Sequence, residues 1–252
     1  MGGRLDPPPE SADEAPGTPI RTCHSARVFV LGIPRCNEST AVFSETLRAV
    51  QASTARPAYT IIVDNGDQRF AGDQSSAIVV RPSGNVGRAG AWNLVLRLAF
   101  ETMNLAHAFL LDSDCAVAPD TFARMLASPA PVVLAHAFSC FRLDESTWRT
   151  VGEFDEEFWP ISWENADYRR RLALSGVAVE EWPIEEHSRP ARGRVEYTSG
   201  ITHGEAWPNG YQGWKGRRLA RFHEQILANQ ARYLAKWGGP PGAETLTVPF
   251  RY

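Results

Sequence analysis

Short apolar and β-branched runs alternate with segments of helical period along most of the chain. Arg27-Val28-Phe29-Val30-Leu31-Gly32-Ile33 reads as a first strand that Pro34 ends, and Asn37 reads as the N-cap of a helix carrying Phe43, Leu47 and Val50. Tyr59–Val63 and Ala77–Val80 are the next two strands, and strand-helix-strand in this order predicts a right-handed parallel crossover. A helix with Leu94, Leu98 and Met103 follows, and then the run Ala108-Phe109-Leu110-Leu111. Pro119 suits the first position of a short helix bearing Phe122, Met125 and Leu126. Pro131–Ala135, Phe138–Arg142 and Gly176–Glu180 complete the strands, with a helix-like Glu145–Arg149 among them.

The stretch from Pro183 to Gly216 is polar and rich in Gly, Pro and aromatics, which predicts an ordered functional loop region instead of core. A last helix starts near Arg217, places Leu219, Phe222, Ile226, Tyr233 and Trp237 on one stripe, and stops at Gly238-Gly239-Pro240-Pro241. That stripe reads as a docking face, with Pro249-Phe250 folding back over the core. Residues 1–25 carry Pro7-Pro8-Pro9, Pro16 and Pro19 among small polar residues, so a disordered tail is expected before one folded domain at 26–252. The pattern is that of an α/β domain, with a mainly parallel central sheet flanked by helices and a C-terminal helical extension.

A chain of 252 residues is long enough for one sizeable core. Its net charge of −3 gives no general electrostatic footprint for nucleic acid. Cys23, Cys36, Cys115 and Cys140 are scattered with no C-x-x-C pair, which speaks against a disulfide framework or zinc knuckle. No apolar run has the length to cross a bilayer and no signal-peptide core is visible, so a cytoplasmic protein without stable membrane insertion is expected.

The chemistry gathers where strands end. Asp112-Ser113-Asp114 breaks off a buried run, at the carboxyl end where open parallel sheets bind ligands. Two carboxylates one residue apart suit a hard cation such as Mg or Mn that also takes substrate phosphates, although Asp-Ser-Asp is also good turn chemistry. Asp64, at the end of the second strand, is a turn residue or a nucleotide contact. In Gly84-Asn85-Val86-Gly87-Arg88-Ala89-Gly90, three glycines before a helix allow close backbone approach, and helix N–H groups there favour an anion. Arg81 and Arg88 add charge-assisted bonds to a diphosphate. The order of residues fits neither a P-loop nor the dinucleotide fingerprint. Farther on, aromatics and acids alternate through Trp159-Pro160-Ile161-Ser162-Trp163-Glu164-Asn165-Ala166-Asp167, where Glu164 and Asp167 share a face at a helix start, as a capping arrangement or as perturbed acids.

Taken together, these residues resemble the family-two glycosyltransferases, which have the GT-A fold. The likeness spans about Val28 to Phe250 and rests on motifs in family order. They are Pro34-x-x-Asn37-Glu38, Val63-Asp64-Asn65, Gly84 through Asn93, Asp112-Ser113-Asp114, Gly152-Glu153-Phe154-Asp155, and Trp163-Glu164-Asn165-Ala166-Asp167. The resemblance implies transfer of a sugar from a nucleotide-sugar to an acceptor hydroxyl with Mn or Mg, by an inverting displacement. It implies a nucleotide-sugar site at Pro34, Asn37, Glu38, Asp64, Asn85, Gly87, Arg88, Asn93, Asp112, Ser113 and Asp114. It also implies acceptor contacts at Trp163 and Glu164, and a metal held by Asp112, Asp114 and His203, which fits the family position better than His187.

One departure matters. The family's usual base is an Asp after Glu, and here that position is Asn165, which cannot accept a proton. Glu164, Asp167 or a residue outside the motif must then take it, with Glu164 favoured over Asp167 because residue 167 points about 200° from residue 165 on a helix. A sugar- or nucleotide-binding module without activity and an Asp-x-Asp phosphatase are the alternatives. The donor sugar, the nucleotide base, the acceptor (glycan, protein or modified nucleic acid) and the oligomeric state are not written in these motifs.

Overall fold

The computed structural model describes residues 28–36, 40–66, 77–191, 194–204 and 216–248; of His203 it describes the backbone. The expected tail at 1–25, together with Asn37, Glu38 and Pro249-Phe250, lies outside the described residues. The main sheet contains β1 (Phe29–Arg35), β2 (Tyr59–Asp64), β3 (Ala77–Val80), β4 (His107–Leu111), β6 (Val132–Phe138), β7 (Cys140–Asp144) and β8 (Val179–Glu181). Their order is β3-β2-β1-β4-β7-β6-β8. β1 pairs in parallel with β2 and β4, β2 with β3, and β6 with β8. Only β7 runs against its neighbours β4 and β6.

Period-two alternation divides the core. Val30, Ala108 and Leu110 face one side of the sheet, where they meet Trp92, Phe141, Phe154 and Tyr168. Phe29, Leu31, Ile33, Phe109 and Leu111 face the other, against Phe43, Phe122 and Met125. The first side is covered by α2 (Gly87–Arg97, continued by a π-helical turn Leu98–Thr102), α4 (Glu145–Val151) and α5 (Glu164–Leu174). The second is covered by α1 (Thr40–Gln51) and α3 (Thr121–Ala127). α2 lies so close to β1 that a Cβ on Gly32 would stand 2.5 Å from Val95 Cγ1. Glycine there sets the depth of the helix whose first turn carries Arg88.

Three sequence expectations need correcting. Pro34 does not end the first strand, which runs on to Arg35. One donor is lost at Pro34, but the pairing closes beyond it when the Asn65 N–H donates to the Arg35 carbonyl at 2.8 Å. The short third helix starts at Thr121 after Asp120, two residues past the proline expected at its first position. The region from Pro183 to Gly216 is not all loop. β9 (Glu186–Ala191), β10 (Arg194–Tyr197) and β11 (Ile201–Gly204) join β5 (Cys115–Val117) in a second, antiparallel sheet of order β5-β11-β10-β9. Its strands are too short and polar to show an apolar alternation.

The C-terminal helix α6 (Arg217–Trp237) docks through Tyr233 and Trp237 against Phe158, with Trp163 packed alongside. It ends at Gly238 in the left-handed region (φ 72°), and the chain returns so that the N–H groups of Thr245 and Leu246 donate to the Trp237 carbonyl. None of the described helices is long and apolar enough to cross a membrane.

Candidate functional site

The strand order turns at β1 and β4, and a ligand crevice is expected beyond the carboxyl ends of strands at such a point. Asp64 ends β2 there, and Asp112 follows β4. Asp64 is buried and accepts from Arg35 Nη1 at 2.8 Å and from Arg81 Nε at 3.4 Å. Arg81, expected beside a diphosphate, therefore closes on Asp64. The neighbouring Asn65 makes a link that its place in Val63-Asp64-Asn65 does not announce. Its Nδ2 donates to the Gly87 carbonyl at 3.0 Å, and its Oδ1 accepts from the Val86 N–H at 3.3 Å, tying the end of β2 to the loop before α2.

That loop is built differently from the expected anion cradle. Besides the Val86 bond, the Gly87 N–H donates to Asn85 Oδ1 at 2.8 Å, and the Arg88 N–H donates to the Pro160 carbonyl at 2.8 Å. Trp159 Nε1 donates to the Asn85 carbonyl at 3.0 Å. Gly87 has φ 74°, and a Cβ on it would stand 2.9 Å from Trp159 Cδ1. The N–H groups of Val86, Gly87 and Arg88 are already taken by the protein's own acceptors, and the glycine admits the 159–160 segment. Asn93, expected at the nucleotide, is fully buried elsewhere. Its Oδ1 accepts from the Phe154 N–H at 2.8 Å, while Nδ2 donates to the Phe154 carbonyl and to Glu156 Oε1, both at 2.9 Å.

What this packing delivers is Arg88. Its Nε donates to Glu164 Oε1 at 2.7 Å, its Nη1 reaches Asp112 Oδ2 at 3.4 Å, and its guanidinium lies 4.6 Å over the Trp92 ring. Glu164 is the first residue of α5 and 0% exposed; its Oε2 has no hydrogen-bond partner among the described residues. A cavity of about 390 Å³ lies alongside, lined by Arg88, Ser139, Ile161, Ser162, Trp163, Asn165 and Ala166. The Asp112 N–H donates to the carbonyl of the lining residue Ser139 at 2.8 Å, so the acidic turn and the cavity share a wall. Ser162 and Trp163 line it with positive φ (77° and 76°), and Ala137, close by in sequence to Ser139, has φ 44°. Left-handed backbone at ordinary residues costs about 1–2 kcal/mol each and gathers where function constrains the chain.

The acidic turn alternates in exposure. Asp112 and Asp114 are partly exposed, Ser113 between them is buried, and the Ser113 carbonyl accepts from Thr46 Oγ1 at 2.8 Å. In the second sheet His203 pairs with Cys115, which places its backbone across from the residue after Asp114. No three His, Cys, Asp or Glu side chains converge into a ready metal cluster among the described residues, which do not include the His203 side chain. Behind the turn, burial raises the thiol pKa of Cys115 and Cys140, the nearby aspartates adding to it, so both are neutral packing groups.

Asp167 lies away from all this. It is 0% exposed and accepts from Arg171 Nε and Trp237 Nε1, both at 2.9 Å, with Lys236 Nζ at 2.7 Å. Its carboxylate joins α5 to α6.

The family model for glycosyl transferase family 2 matches residues 31–170, more than half of the chain. The chain belongs to glycosyl transferase family 2. The family match runs from β1 into α5, so it takes in Asp64, Arg88, Asp112, Asp114 and Glu164 and leaves out α6. The Asp-x-Asp phosphatase reading loses its support. No curated protein matches the chain by sequence. Among solved structures, the chain is similar to the mannosyltransferase PcManGT from Pyrobaculum calidifontis in complex with GDP-Man and Mn2+. That likeness has 17% identity over 62% of this chain and 55% of that one, with a TM-score of 0.48. It is also similar to GalNAc-T7 with UDP, GalNAc and Mn2+, at 11% identity over 83% of this chain and 50% of that one, with a TM-score of 0.51. The chain thus spans about half the length of each of these structures. The fold is GT-A.

Proposed function

We propose that the protein moves a sugar from a nucleotide-sugar to an acceptor hydroxyl, with a divalent cation held at Asp112 and Asp114. The observation that carries this reading is the union of Asp112 and Glu164 through Arg88, which itself lines the cavity, in a chain of glycosyl transferase family 2. The donor set fits the cation. Two hard carboxylates stand partly exposed one residue apart, and His203 has its backbone across the second sheet from Cys115. When bound, such an ion neutralises charge on the departing diphosphate.

The chain's own residues supply the rest. Asp64, steadied by Arg35 and Arg81, accepts hydrogen bonds from the nucleotide base. Arg88, 17% exposed at its side chain, covers Glu164 and faces the cavity. A diphosphate next to Asp112 attracts the guanidinium and draws it off Glu164. Glu164 then takes the acceptor proton at Oε2, as the acceptor oxygen bonds to the anomeric carbon and the diphosphate leaves from the opposite face. Asn165 and Trp163, both on the cavity wall, orient the acceptor by amide hydrogen bonds and ring contact. One such displacement inverts the anomeric configuration.

A thermal-shift panel of nucleoside diphosphates, each with Mn2+ and with chelator, tests the donor side. A ligand at a hundred times its Kd stabilises the native state by about 2.7 kcal/mol, so one nucleotide should raise Tm by several degrees only with the metal. No shift with any nucleotide contradicts the reading. A nucleotide-binding module without transfer is favoured by two observations, the amide at 165 and the sealed position of Glu164. It predicts the same shift but no consumption of any nucleotide-sugar.

A further inference from the structure

Along α6 the apolar stripe Phe222, Ile226, Tyr233, Trp237 is broken by Asn229, which falls at the same helical spacing. Asn229 is 1% exposed. A lone buried amide is costly unless its hydrogen bonds are made, and here they are made to one segment. Nδ2 donates to the carbonyls of Trp159 and Ile161 at 3.1 Å and of Ser162 at 3.3 Å, while Oδ1 accepts from Gln225 Nε2 at 3.4 Å. Two N–H groups shared among three converging carbonyls hold those peptide units in one orientation.

That segment is where the backbone is most constrained. Ser162 and Trp163 take left-handed φ just before Glu164 opens α5, and Ile161, Ser162 and Trp163 line the cavity. The same segment donates and accepts around Gly87 and Arg88, so its position also sets where Arg88 starts. At the far end of α6, Trp237 and Lys236 fix Asp167, one turn into α5. The helix start that presents Glu164 is therefore held from both sides by an element outside the family-matched stretch.

We propose that Asn229 is a positioning residue for the acceptor side of the site, holding the 159–163 segment so that Trp163, Glu164 and Asn165 face the reaction. The proposal rests on the transfer reading of the cavity given above. A residue present only for packing would not need an amide here. Leucine of similar size would complete the stripe and leave the three carbonyls unpaired.

Asn229→Leu in the full chain separates these roles. Hydrogen exchange should quicken in peptides covering 159–167 and stay as in wild type in β1, β2 and β4. UDP and GDP, each titrated with Mn2+, should bind within about twofold of wild type, while the kcat for nucleotide-sugar consumption falls by at least about tenfold. Unchanged exchange at 159–167, or equal losses in nucleotide affinity and kcat, overturns the proposal. If Asn229→Leu does not fold, Asn229→Ala decides. It removes both Nδ2 donors without forcing a bulkier group between the carbonyls, and quicker exchange at 159–163 supports the clamp while wild-type exchange overturns it. Should wild type consume no nucleotide-sugar at all, the transfer reading fails, and the exchange comparison still decides whether Asn229 holds the segment.

Discussion

Arg88 Nε donates to Glu164 Oε1 at 2.7 Å although the two residues stand 76 positions apart. The same guanidinium reaches Asp112 at 3.4 Å, so one cation serves the acid expected to take a proton and the acid expected beside the diphosphate. Arg88→Ala would leave the Glu164 carboxylate buried without its cation, and breaking such a pair costs about 3–5 kcal/mol. Arg88→Lys keeps a charge but not a planar fork that can address two acids. It should retain more stability than Arg88→Ala in urea unfolding and still lose about a hundredfold in nucleotide-sugar consumption. Equal activity of Arg88→Lys and wild type would remove Arg88 from the chemistry.

Asp112 and Asp114 carry the proposed cation. Asp114→Asn should weaken Mn2+ and nucleoside diphosphate binding together, each by about tenfold or more, with Tm in the absence of ligand close to wild type. Calorimetric titration of the nucleotide with and without Mn2+ reads both effects. Full activity in excess chelator, with metal content checked, would exclude the cation.

Asp64 needs a gentler substitution than alanine. Arg35 is buried against it, so Asp64→Ala would strand a guanidinium and confuse a binding loss with unfolding. Asp64→Asn keeps an acceptor for Arg35 and removes the charge. The donor KM should rise by about tenfold with little change in the acceptor KM. An unchanged donor KM places Asp64 outside the nucleotide site.

α6 should loosen in acid. Burial alone would raise the Asp155 pKa, but the Lys236 ammonium, bonded at 2.6 Å, and the Glu157 N–H hold it below the ordinary value of 3.8. A carboxyl whose folded pKa is depressed adds stability above its unfolded value and loses it as pH falls through the folded one. The Tm of wild type should therefore exceed that of Asp155→Asn near neutrality, and the gap should close as pH drops below 3.8. A gap that persists in strong acid contradicts the assignment.

The strands and the acidic turn were legible because their signals are local. An apolar run that breaks into Asp112-Ser113-Asp114 announces both a buried strand and its exposed end. The partners of Arg88, Asn93 and Asp167 were not, since each is chosen by packing between distant segments. Asn93 looks like any polar residue near a helix start until Phe154 is seen against it. The glycines around the start of α2 suggested phosphate by composition, whereas Trp159 and Pro160, some 70 residues later, occupy the approach at Gly87. Asn229 did leave a trace, a polar residue on an otherwise apolar stripe. Nothing local says which carbonyls such an amide meets.

The most direct test compares wild type with Glu164→Gln for nucleotide-sugar binding and for release of nucleoside diphosphate. Glutamine keeps the shape and an acceptor for Arg88 but cannot take up a proton at neutral pH. The substituted protein should bind the same nucleoside diphosphate as wild type within about twofold, and release it from the nucleotide-sugar at about a hundredth of the rate or less. Near-normal release by Glu164→Gln would contradict the assignment of Glu164 as the base.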